Sequence, residues 1–485
     1  LLGFILISIV SFAAPAPKLN LNLVMSKALQ HAQGFRALEG QKLLSQSFST
    51  QSEVPFTWNL EFGYESVDDR NESATPVSPT SIKSTGGYLG FSKYFSSGTA
   101  VSAKLKQTEN AMSFPAASGI LVPDYKESTA TLGLSQNLWK DAFGEASRRQ
   151  HSGLEYKAQA QNLAYKRSRA SYALVLINQY YGAWLAQQKL RSTKESHQRK
   201  LSLLKSTQIR LGRGTAEQTD LLQTESANLL SQSNLAQVQA ELDQRWRDLI
   251  VILGLPTDYL AFPASQVFLD VGAQSKNWKA FCESQLNAAF EVGPEIEKAK
   301  LEMQAAEEQH QAAASQQKAE LQLRAQLESN GINSSIAGSQ SEAFGSKNPA
   351  WAVGIYWKKP LGSSAEDAQA LQATAQQIQA QAQYVAARDE HKVALLKSCA
   401  DWRDMESDLP RAEAAASKQT QRSGLEEKRF RLGRSTTFQV IQAGDDATQA
   451  QLLYQQLQVA KEMIHWRLMD LTGQLDSQLE TWSHE

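Results

Sequence analysis

Hydrophobic residues recur along this chain in two alternating textures. In the first, apolar positions fall three and four residues apart, the spacing of one helix face. The stretch 19–49 can align Val24, Leu29, Phe35, Leu38 and Leu43 in this way. A far longer run over 144–211 carries Tyr172, Ile177, Tyr180, Trp184, Leu190, Leu201, Leu204 and Leu211, with no intervening proline. At 1.5 Å per residue it predicts a helix of about 100 Å, which needs neighbours along its whole length. A third segment, 216–253, stops at Gly254-Leu255-Pro256, a glycine just past the last turn followed by proline.

The same order returns in the second half, as segments 278–316, 365–430 and 437–471, the last ending at Gly473. Leu371, Ile378 and Val385 stand seven residues apart, flanked by Ala375 and Ala382. Small residues at such a seam let helices approach closely, as in a tight coiled coil. Pro410 is expected to end or kink its helix. Gly214 and Gly433 are 219 residues apart, as are Gly254 and Gly473, and in that register Arg210 matches Arg429 and Gln223 matches Gln442. A tandem duplication of long-helix, turn, helix units follows.

The second texture has a period of two. Phe56, Trp58, Leu60, Phe62 and Tyr64 alternate with Thr57, Asn59, Glu61, Gly63 and Glu65, the pattern of a strand with one apolar face. Segments 128–138, 319–328 and 350–359 alternate likewise, and 86–95 with 98–107 reads as a hairpin turned at Ser96-Ser97-Gly98. Strands of about ten residues with one apolar face are what an outer-membrane barrel requires. Four of them, 56–65, 128–138, 319–328 and 350–359, cannot close such a barrel, and an open edge in lipid is prohibitively costly. A barrel shared between subunits is therefore expected; three chains would supply twelve strands, a number that spacing alone does not fix, with the hairpin 86–107 as an outward decoration.

Composition narrows the compartment and the chemistry. Leu1–Phe12 is a short apolar run followed by Ala13, Ala14, Pro15, Ala16 and Pro17, the length and ending of a secretory signal rather than a membrane-spanning helix. Residues 1–16 are expected to be the remainder of a signal peptide that lacks its initiating Met. The 485 residues are 42% hydrophobic, with 49 basic against 50 acidic side chains, so no nucleic-acid partner is indicated. Cys282 and Cys399 are too few for a disulfide framework and lack the grouping of a thiolate metal site. The seven histidines are scattered without an HExxH pattern, and LGRGTAEQ lacks the lysine of a phosphate loop. No enzymatic activity, cofactor or metal is expected.

Taken in order, the signal peptide, short helix, strands, SQNLWKDAFGE at 135–145, long helix, RLGRGTAEQTDLLQTES at 210–226, helix, LGLP at 253–256 and a degenerate second copy resemble the TolC-like outer membrane efflux protein family. The resemblance covers nearly the whole chain beyond the signal segment. It implies a mixed α/β membrane protein: a homotrimeric outer-membrane β-barrel continued by a long α-helical periplasmic barrel. It also implies a passive exit duct in the outer membrane of a Gram-negative bacterium, serving tripartite efflux or type I secretion. Its partners would be the lipid bilayer, a periplasmic adaptor (membrane fusion) protein and an inner-membrane RND, ABC or MFS pump. On this reading 17–256 is the first repeat, 257–277 a linker, 278–473 the second repeat and 474–485 a C-terminal tail.

The resemblance places the periplasmic tips at the turns around Gly214 and Gly433, with Arg213, Gly214, Thr215, Leu432, Gly433 and Arg434 as adaptor contacts. Relatives narrow the pore with aspartates six and nine residues after the second glycine; here those positions are Gln439 and Gln442. Asp220 and Gln223 occupy them in the first copy, and Asp445 lies further along the second. These five are the expected gate or pore-lining residues. A coiled-coil envelope scaffold and a periplasmic adaptor are the alternatives; duplicated hairpins and two sets of strands disfavour both.

Overall fold

The computed structural model describes residues 18–71, 78–114, 119, 122–254, 268–269, 278–285, 293–345, 349–362 and 364–484. The signal segment 1–16, the dipeptide Leu255-Pro256 and all of the linker 257–277 except 268–269 lie outside the described residues. In chain order the elements are β1 (Lys18–Leu19), α1 (Leu21–His31), α2 (Gln33–Glu53), β2 (Trp58–Asp69), β3 (Ser81–Tyr94), β4 (Thr99–Ser113) and β5 (Tyr125–Asn137). There follow α3 (Glu145–Gly212), α4 (Gln218–Leu253), β6 (Phe268–Leu269), α5 (Lys279–Gln285), α6 (Pro294–Gln316) and β7 (Glu320–Asn333). The last are α7 (Ile336–Phe344), β8 (Pro349–Lys358), α8 (Ala365–Arg431), α9 (Thr437–Leu471) and α10 (Gln474–His484).

α3, α4, α8 and α9 match their apolar periodicity to within two residues at each end, whereas the stretch 278–316, expected as one helix, appears as α5 and α6 with 286–292 outside the described residues. Three expectations are revised: one helix is split, one of the two outcomes expected at Pro410 does not occur, and the C-terminal tail is helical. The stretch 19–49 is two helices, parted at Ala32, whose backbone is extended; Gly254 approaches here so closely that a Cβ on it would sit 2.6 Å from the His31 carbonyl oxygen. Pro410 does not end its helix, since α8 runs through it for 67 residues. Pro410 is exposed, so water can take the carbonyl hydrogen bond that the proline nitrogen cannot supply. Residues 474–484, expected as a tail, form α10.

The chain divides into two units, and α2, α3, α6 and α8 contribute to both. The helical unit comprises residues 1–42, 162–297 and 386–485. Its core joins α1, α3, α4, α9 and α10 through Met25, Tyr180, Leu249, Trp466 and Trp482, all buried. Buried polar tips find partners here, as burial demands: the Trp482 indole donates to Asn22 Oδ1 at 3.1 Å and the Tyr180 hydroxyl to the Leu19 carbonyl at 3.1 Å. A second cluster gathers Trp278, Leu395, Trp402 and Leu468 around a disulfide between Cys282 and Cys399. Arg167 pairs with Glu295 at 2.8 Å and with the buried Asp470.

The sheet unit comprises residues 43–161 and 298–385. Its six strands lie in the order β2-β3-β4-β5-β7-β8, antiparallel throughout. The hairpin expected as an outward decoration is thus β3 and β4, inside the sheet between β2 and β5. Glycines let it fit: a Cβ on Gly63 of β2 would meet the Tyr88 ring of β3 at 2.3 Å, and one on Gly86 would meet the Gln107 carbonyl of β4 at 2.1 Å.

The register sorts the side chains into an apolar and a polar face. Trp58, Lys93, Val101, Leu134, Ala325 and Val353 make one row, and Leu60, Phe91, Ala103, Leu132, Leu327 and Trp351 the next. Lys93 lays its ammonium 5.2 Å from the Trp58 ring centroid, keeping its charge at the border of the row. The polar face carries Glu61, Lys104, Gly133, Arg324, Gly354 and Tyr356. At the far end of the apolar face α7 covers the first polar row. There Ser128 and Ser339, both fully buried, meet at 2.8 Å.

Candidate functional site

The two helix-to-helix turns of the helical unit close in the same way. At the end of α3 the Thr215 amide donates to the Arg210 carbonyl at 2.9 Å and the Gly214 amide to Leu211 at 2.9 Å. At the end of α8 the Arg434 amide donates to Arg429 at 2.8 Å and the Gly433 amide to Phe430 at 2.9 Å. Gly214 and Gly433 have φ of 68° and 71°, the left-handed conformation that this helix ending requires and that glycine adopts without strain. The next helices start on reciprocal caps. The Glu217 amide donates to Asp220 Oδ2 at 3.2 Å, while the Thr436 amide donates to Gln439 Oε1 at 3.1 Å and the Gln439 amide returns a bond to Thr436 Oγ1 at 3.2 Å.

All six expected contact residues, Arg213, Gly214, Thr215, Leu432, Gly433 and Arg434, are exposed. Leu432 keeps 71% of its surface open, an apolar side chain left largely uncovered by the described residues.

The expected gate residues are brought together, but into ties between helices. The Thr437 hydroxyl, 3% exposed, lies 2.8 Å from Asp220 Oδ1 and 2.9 Å from Gln223 Oε1. It has one proton to donate, so the two acceptors share a single hydrogen bond joining α9 to α4. Gln439 is used by its own cap. Asp445 pairs with Lys200 of α3 at 2.8 Å. Gln442 donates to Asp446 at 2.8 Å, and Asp446 pairs with Arg422 of α8 at 3.0 Å. Arg210 stacks its guanidinium 4.7 Å from the Phe430 ring centroid, tying α3 to α8. Sequence reasoning missed Thr437, Lys200, Arg422 and Phe430, because each partner lies on a different helix. Chemically the arrangement is a clasp, four helix ends held by polar contacts that can be exchanged for water. Among the described residues no cluster of three His, Cys, Asp or Glu side chains is placed to hold a metal ion.

A scan of family models and a search of curated proteins give no match. Solved structures do match. The outer membrane protein VceC from Vibrio cholerae superposes with a TM-score of 0.67 at 15% identity, over 93% of this chain and 96% of that one. The Campylobacter jejuni CmeC outer membrane channel gives 0.66 at 11%, over 96% and 89%. The chain has the TolC-like outer-membrane channel fold. The open state of the Neisseria gonorrhoeae MtrE outer membrane channel superposes on it at 0.62 and 14% identity, over 93% and 88%. No described helix is long and apolar enough to cross a membrane.

Proposed function

We propose that the chain is the outer-membrane exit duct of a tripartite efflux or type I secretion system, working as a homotrimer. One observation carries the reading: a six-stranded sheet whose apolar face is open to solvent and whose end strands, β2 and β8, have no neighbour on one side among the described residues. Rows two residues apart on strands tilted about 40° are about 5 Å apart in height, so five rows span about 21 Å, close to the about 25 Å height of the apolar band of an outer-membrane barrel. The end strands could not remain unpaired in hydrocarbon, so neighbouring copies supply the missing partners. The disulfide is in keeping with export to an oxidising compartment.

The helix-to-helix turns then form the periplasmic entrance. Leu432 and the exposed Arg213 and Arg434 offer a small apolar and basic contact for a periplasmic adaptor, which connects the duct to an inner-membrane RND, ABC or MFS pump. The polar clasp keeps the entrance closed until that contact is made. The repeated turn geometry at Gly214 and Gly433 supports an origin in two tandem repeats. Gradient separation of membranes, followed by mass measurement of detergent-extracted protein, tests the reading. Trimers in the outer-membrane fraction are expected; a soluble monomer with its sheet intact contradicts it.

A further inference from the structure

The helices of the sheet unit stand in a row. Ser52 of α2 donates to Glu155 of α3 at 2.7 Å, Arg149 of α3 pairs with Glu308 of α6 at 3.3 Å, and Gln377 of α8 donates to Glu307 of α6 at 2.5 Å. The sheet follows the same order: α2 leads into β2 at one edge, β5 into α3, α6 into β7, and β8 into α8 at the other edge. Helices packed 8–10 Å apart make four of them an arc of about 32–40 Å. Six strands spaced about 4.8 Å apart and tilted about 40° span about 38 Å, whereas four would span about 25 Å. The six-stranded sheet therefore fits the width of its own helices at an ordinary tilt.

Both sides of this row are apolar and uncovered. On α8 the side chains Leu371, Ala375, Ile378, Ala382 and Val385, at alternating steps of four and three, are all exposed, Leu371 by 74% and Ile378 by 62%. On α2, Leu43 and Leu44 are 65% and 52% exposed. The sheet edges lie on the same two sides. β2 brings Glu61 and Glu65 on its polar face, and β8 brings Lys358. β2 and β8 run in opposite directions, so joining them continues the antiparallel order.

We propose that β2 and α2 of one copy seat against β8 and the α8 seam of the next, and that three such contacts close a barrel of eighteen strands. This rests on the trimeric channel reading and changes its exit. Three copies of the six-stranded sheet make eighteen strands, with a backbone diameter of about 36 Å, against about 24 Å for twelve at the same tilt. The β3–β4 hairpin widens the mouth.

Cryo-electron microscopy of the full-length protein in lipid nanodiscs tests this, together with cysteine pairs in the apolar rows. Three copies with eighteen strands are expected, and Leu60→Cys should cross-link to Phe91→Cys but not to Leu132→Cys. Three copies with twelve strands, or a Leu60→Cys to Leu132→Cys cross-link that places β2 beside β5, overturns the eighteen-strand barrel and leaves the channel reading standing. Particles that are not trimeric overturn both.

Discussion

Replacing Thr437 by Val removes the hydroxyl that joins α9 to α4 and keeps the side-chain shape. A hydrogen bond to a charged acceptor contributes about 1.5–3 kcal/mol. Only one is lost, because Asp220 and Gln223 share one proton, and Asp220 is half-buried with access to water, so about 1.5–2 kcal/mol is the better figure. If the tie breaks when the entrance opens, each copy shifts toward the open state by roughly 10- to 30-fold. If three copies move together the shifts add to about 5–6 kcal/mol, enough to convert a rarely open channel into a mostly open one. Single-channel recording in planar bilayers reads this directly, with Thr437→Ser as the control that keeps the hydroxyl. A folded Thr437→Val trimer with unchanged conductance and open probability would show that α4 and α9 do not part during opening.

Three further outcomes follow from other parts of the chain. The disulfide closes a stretch of 117 residues, so on the chain-entropy account its loss in Cys282→Ser/Cys399→Ser costs about 5 kcal/mol; an unchanged denaturation midpoint would contradict this. Burial raises the Glu462 carboxyl from 4.5 to about 7. The folded chain then holds a proton that the unfolded chain releases near pH 4.5, stability falls as pH rises from about 4.5 to 7, and Glu462→Gln should flatten that slope and stabilise the protein above pH 7 by about 1–3 kcal/mol; equal slopes in melting scans would refute it. Val353→Arg, on the apolar face near mid-sheet, should cost about 2–4 kcal/mol in lipid, measured as refolding yield into vesicles, whereas Gly354→Ser on the opposite face should be nearly silent.

The limits of α3, α8 and α9 were legible because their apolar positions repeat over many turns, and strand faces were legible wherever residues such as Leu132, Leu134, Val353 and Ile355 alternate. The place of the hairpin was not. Gly86, Gly87 and Gly90 weaken the strand pattern of β3, and a twelve-strand total borrowed from the resemblance left it no place in the barrel. Its long pairing with β2 and β4 depends on contacts between strands that no local pattern contains. α7 was missed because it is only nine residues long and is held by Ser128 and Gln107 from other strands. At the turns the glycines and the following polar residues were visible, but not that Thr437 would reach Asp220, or that Lys200 would neutralise Asp445. Asp220 and Asp445, expected as gate or pore-lining residues, are engaged in ties within one chain.

The central claim, an exit duct through the outer membrane, is tested most directly by incorporating the purified full-length protein into planar lipid bilayers and recording ion current. The account predicts discrete conductance steps from trimers, larger or longer-lived once the clasp is weakened by Thr437→Val. Membrane-inserted trimers that carry no current, with the clasp intact or weakened, would contradict it.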